Sequence, residues 1–77
     1  MNGFSNMETW QFWNIIQNDI SVLGIIDSLA DDLDYLWQYI RDIVWIMKEE
    51  NCYGFDLNEV NVSEIIDTIM EDIENEE

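Results

Sequence analysis

Apolar residues recur along this chain three and four positions apart, and nowhere do they alternate with a period of two for long enough to build a sheet. Phe12, Trp13, Ile16 and Ile20 form the first such stripe. Ahead of it, Ser5-Asn6-Met7-Glu8 has the S-x-x-E spacing of a capping box, so the first helix is expected to open at Ser5, with Glu8 as the reciprocal cap. That helix should end around Asn18-Asp19. A short second helix then carries Val22, Leu23 and Ile26 through Gly24. Ser28, with Asp31 three residues on, is the expected N-cap of the longest helix, which runs to about Glu50.

On a wheel turned by about 100° per residue, Leu29, Leu33, Leu36, Trp37, Ile40, Ile43, Val44 and Met47 occupy one sector of that long helix, its core face. Asp31, Gln38, Asp42 and Glu49 lie opposite, and Arg41 and Lys48 share a flank with Asp34. Tyr35, Tyr39 and Ile46 make a second, weaker apolar edge, through which a homodimer would double the acidic array. Trp45 falls on the polar side, near Asp42 and Glu49. A small bundle surrounds its central helix on more than one side, so a covering neighbour is the first expectation for Trp45. Exposure as a binding hot spot is the second.

Residues 51–60 read as a loop, with Asn51 or Gly54 suited to ending the long helix. Asn61 to Glu64 again has the polar-x-x-Glu spacing of a helix start. The last helix is expected to bury Val62, Ile65, Ile66, Ile69, Met70 and Ile73 and to carry Glu64, Asp67, Glu71 and Glu74 on its other face. The fold expected is all-α: one acidic domain over residues 1–77, a compact bundle of three to four helices with a loop before the last.

Charge changes the picture from fold to function. Eighteen Asp and Glu stand against two Lys and Arg, with no His, a net charge of −16 on 77 residues. A magnitude of roughly 2–8 is ample for the solubility of a small domain. Disorder would explain acidity in a chain poor in apolar residues, but this one is 48% hydrophobic and has four tryptophans. A chain that folds and keeps this charge in spite of self-repulsion is built for a basic partner, and the commonest strongly basic surfaces in cells bind nucleic acid. Carboxylates at i,i+3 and i,i+4 stand ~5–6 Å apart on a helix, comparable with the spacing of nucleic-acid phosphates. The residues expected to meet such a partner are Asp31, Asp34, Asp42, Glu49, Glu64, Asp67, Glu71 and Glu74, with Trp45 as the apolar candidate.

Other chemistry is weakly represented. Cys52 is the single cysteine, so no intramolecular disulfide forms, and with no histidine it lacks a base to activate it. Asp31, Asp32 and Asp34 offer oxygen ligands for Ca²⁺ or Mg²⁺, but no EF-hand loop is present. Glycine-rich phosphate loops are absent. Neither an enzyme nor a cofactor or metal is expected. The longest apolar run, Ile43 to Met47, is far short of the ~20 residues of a membrane span. The N-terminus has no basic n-region, so a signal peptide is not expected, and the expected location is the cytoplasm.

Two segments resemble a family of small, uncharacterised phage and plasmid proteins. Gly3 to Trp10, followed by Trp13 and Asn18-Asp19, is similar to that family's Asn-x-Glu-Thr-Trp opening and its Trp-x-x-Asn-Asp-like continuation. Leu57 to Ile65 is similar to its closing Leu-x-Glu-Val-Asn-Trp-x-Glu-Ile, with Val62 in place of the tryptophan. The family brings no assigned activity. What the resemblance implies is a mobile-element origin, where small acidic proteins often serve as anti-restriction or anti-CRISPR factors. The expected function is therefore a nucleic-acid mimic that blocks the basic cleft of a host defence nuclease in the host cytoplasm and does not itself bind nucleic acid. The alternative is a helical adaptor that binds a basic or amphipathic protein segment through an apolar hot spot. A salt titration separates the two.

Overall fold

The computed structural model describes the backbone over residues 3–75 and side chains as far as Ile73. Four α-helices follow one another: α1 (Met7–Gln17), α2 (Ile20–Leu29), α3 (Leu33–Glu50) and α4 (Val62–Asn75). A single 3-10 turn, Leu57–Glu59, interrupts the loop before α4, and no strand occurs among the described residues. The fold is the all-α bundle that the periodicity predicts.

Short polar side chains set most of the helix starts, by accepting hydrogen bonds from N–H groups that the first turn leaves unpaired. Two of these differ from expectation. Asn6, rather than Ser5, caps α1, its Oδ1 accepting from Thr9 N at 2.8 Å. Ser5 is occupied by the Glu64 carboxylate. The long helix starts not at Ser28 but after Asp32, which accepts from Tyr35 N at 3.3 Å. Ser28 lies inside α2, where its hydroxyl donates back to the Ile25 carbonyl at 2.7 Å and so offers no cap to a following helix. Leu29 consequently closes α2, and Leu33, now at the first position of α3, is exposed rather than core. Asp19 caps α2, and Asn61 receives Glu64 N at the start of α4. Asn51 ends α3 in the left-handed region, at φ 50°, ψ 44°, which asparagine tolerates better than most residues.

Each helix packs against its neighbour in sequence, and α4 returns to α1. The core lies where these faces meet: Phe12 and Ile16 from α1, Leu36 and Ile40 from α3, and Ile65 from α4 are fully buried, with Ile26 of α2 close to it. Leu57 inserts from the 3-10 turn, which touches both α1 and α3, and half-buried Tyr53 and Phe55 pack against the same core. Burying each large aliphatic or aromatic side chain is worth about 1.5–3 kcal/mol, which lets few residues hold a small domain together. The Cα radius of gyration, 12.0 Å, is close to the ~11–12 Å expected of a well-packed domain this long.

The N-terminal ends of α1 and α4 are tied together by polar contacts. Thr9 is fully buried, and its Oγ1 accepts the backbone N–H of Asn61 at 2.9 Å. Asn6 Nδ2 donates to the Glu59 carbonyl at 2.8 Å. Ser5 donates through its backbone N–H to both carboxylate oxygens of Glu64, at 3.1 and 3.2 Å, and through its hydroxyl at 2.8 Å. No buried side-chain nitrogen or oxygen among the described residues lacks a hydrogen-bond partner.

Candidate interaction surface

The fold directs carboxylates outward. Every described aspartate is exposed, and among the described glutamates only Glu8 and Glu64 are half-buried. Some of this charge has structural work: Asp19, Asp32 and Asp56 accept backbone N–H groups, and Glu50 accepts the Tyr53 hydroxyl at 2.7 Å. The expected contact residues Asp31, Asp34, Asp42, Glu49, Asp67 and Glu71 are different. All six are exposed, and none accepts a hydrogen bond among the described residues, so their carboxylates are open to a partner.

Glu64 is not free in the same way. Its carboxylate is held by Ser5, so the expected row on α4 has one member committed to the fold. Asp67 and Glu71 continue the row in solvent, and the Glu74 side chain lies outside the described residues. The row on α3 is also modulated, because Arg41 lines one hollow with Asp34 and Asp42 and offsets part of their charge. One acidic pair escaped the sequence reading. Asp27 of α2 and Asp72 of α4 flank a single groove over Ile26 and Ile69, although 44 positions of chain separate them, and no spacing rule on one helix reaches that far.

Trp45 is 61% exposed, so no neighbouring helix covers it. The Tyr35–Ile46 edge of the same helix is also exposed, with Tyr39 half-buried. Trp45 borders a groove of about 440 Å³ between α3 and the segment leading into α4, floored by Val44, Leu57, Val60 and Val62. Arg41 and Lys48, the two basic side chains of the chain, stand on the same groove. At i, i+4 and i+7, Arg41, Trp45 and Lys48 form one stripe of α3.

Two tyrosines titrate away from their ordinary range. Tyr53 is pushed up to about 12, first because its hydroxyl donates a hydrogen bond to Glu50, then because burial and the charge of the same carboxylate disfavour the phenolate. Burial raises Tyr39, and the Asp19 carboxylate adds to the effect. Each phenol is held more firmly in its neutral form. Cys52 is free and exposed. Among the described residues, no group of three or more Asp, Glu or Cys is placed to hold a metal ion, and no helix is long and apolar enough to cross a membrane.

Comparison of the chain with family models, with curated proteins and with solved structures finds no match. The segments Gly3 to Trp10 and Leu57 to Ile65 meet in the Ser5–Glu64, Asn6–Glu59 and Thr9–Asn61 contacts, which gives these residues a structural role.

Proposed function

We propose that this chain is a nucleic-acid-mimicking inhibitor, carried by a phage or other mobile element, that blocks the basic nucleic-acid-binding cleft of a host defence nuclease of the restriction or CRISPR type. The observation that carries this reading is the set of exposed carboxylates on α3, α4 and the turn between α2 and α3 that accept no hydrogen bond among the described residues. A protein needing charge only for solubility gains nothing from a net −16, which destabilises its own compact state. In a cleft lined by Lys and Arg the same charge is favourable, and it releases the anions that the cleft holds when empty. Inhibition is then competition for substrate, with no chemistry on the inhibitor's side, and the site of action is the host cytoplasm.

Immobilised protein should capture its target from host lysate, and duplex DNA or RNA added at constant ionic strength should displace it. Retention of the captured protein in the presence of excess nucleic acid would remove the mimic from consideration.

Exposed Trp45 favours a second reading, an adaptor whose apolar hot spot anchors a basic or amphipathic protein segment. Such a complex would keep most of its affinity at high salt.

A further inference from the structure

We infer that the Trp45 groove takes a partner segment in which an apolar side chain is flanked by carboxylates, so the charge it recognises is opposite to that of the chain's other faces. The inference rests on the second reading, in which Trp45 is an interaction hot spot, and assigns the chemistry of what it binds.

Trp45 leaves much of a large, stiff indole in water, where covering it would be favourable. Beside it, Val44, Val60 and Val62 form an apolar floor able to seat one aliphatic or aromatic side chain. The chain has only two basic side chains, and both border this groove. Arg41 and Lys48 are seven residues apart on one helix, about two turns or roughly 10 Å along its axis, with Trp45 between them. Asp42 and Glu49 lie on the other flank of Trp45, outside the groove lining, so a segment laid over the indole on the groove side would meet a cation near each end, where its own carboxylates could pair. A Lys- or Arg-bearing segment would meet like charge at both ends. A second copy of this chain is disfavoured as occupant by the repulsion between two bodies of net charge −16, and nucleic acid by the same repulsion.

The test uses two short synthetic helical peptides, one with a leucine flanked by glutamates a turn away on each side, the other with lysines in their place. NMR signals of the Trp45 indole and the Val44, Val60 and Val62 methyls report occupancy. The glutamate peptide should shift them saturably and the lysine peptide should not. Trp45→Ala should weaken the glutamate peptide by at least about tenfold, the size of a hot-spot loss. The double charge reversal Arg41→Glu with Lys48→Glu should switch preference to the lysine peptide, a gain that misfolding cannot imitate. Equal or better binding of the lysine peptide by wild type, still sensitive to Trp45→Ala, would overturn the assigned charge and leave the hot spot standing. If neither peptide moves these signals, or if Trp45→Ala changes nothing, hot spot and inference fall together. Signals that move with protein concentration alone, or with an oligonucleotide, would also overturn it, in favour of self-association or nucleic-acid binding.

Discussion

The Thr9 hydroxyl, fully buried on α1, accepts the backbone N–H of Asn61 at 2.9 Å and so joins two helix starts that are 52 residues apart in sequence. This contact sits at the centre of the polar seam between α1 and α4. Replacing Thr9 by valine keeps the shape but removes the acceptor, leaving a part-buried N–H unpaired. The expected cost is about 1–3 kcal/mol, with Thr9→Ser retaining more of the stability. Urea denaturation of the two variants measures this, and equal stability of Thr9→Val and wild type would remove the seam's energetic role.

Glu64 and its neighbours on α4 should separate in the same assay. Glu64→Gln loses the charge on a carboxylate that accepts from Ser5 N and Oγ, and should destabilise by about 1 kcal/mol, since such bonds are stronger when one partner is ionised. Asp67→Asn with Glu71→Gln touches only solvated groups and should stay within about 0.5 kcal/mol of wild type. A Glu64→Gln variant as stable as the Asp67→Asn with Glu71→Gln variant, both near wild type, would place Glu64 back in the solvent row.

These contrasts show where the sequence was legible. The stripes of α3 and α4 were readable because Leu36, Ile40 and Met47, and Ile65, Ile66 and Ile69, recur at the helical period over several turns. Helix starts were less so, because several side chains near each start compete to cap it. Ser5 and Ser28 have the right chemistry, but one is taken by Glu64 and the other bonds its own helix. The wheel placed Trp45 on the polar side, yet whether a helix covers that side depends on how the helices are arranged. The Asp27–Asp72 groove needs two helices brought together and leaves no trace in either one. The free carboxylates on α3 and α4 needed only the period and the composition.

Tyr53 gives a pH signature. Folding raises its pKa to about 12 through the Glu50 carboxylate, against roughly 10 in an unfolded chain. The neutral phenol is therefore favoured by the fold. Its contribution is complete below about pH 10 and is lost as pH rises through about 12. The difference in phenolate absorbance between wild type and Tyr53→Phe, with circular dichroism recorded alongside, should titrate late, and Glu50→Ala should return it toward the ordinary value. Late titration that survives Glu50→Ala would assign the shift to another cause.

Salt should stabilise the free protein. Added NaCl screens the repulsion among surface carboxylates over a Debye length of about 10 Å at 0.1 M. The melting temperature should therefore climb as salt is added at neutral pH, most steeply at the low end. An unchanged melting temperature would mean that the charges are too dispersed to oppose the fold, and would weaken the case that they are kept for a partner.

The dependence of target affinity on ionic strength is the most direct measure of the central claim. It is best taken with wild type, with a variant carrying Asp34→Asn, Asp42→Asn, Glu49→Gln, Asp67→Asn and Glu71→Gln, and with Trp45→Ala. All these positions are exposed, so each protein should fold. The account predicts that wild-type affinity for the captured target falls steeply as salt rises. The five-site variant should bind more weakly with a shallower slope, and Trp45→Ala should keep the wild-type slope. A flat wild-type slope, with the five-site variant binding normally and Trp45→Ala abolishing the complex, would contradict it.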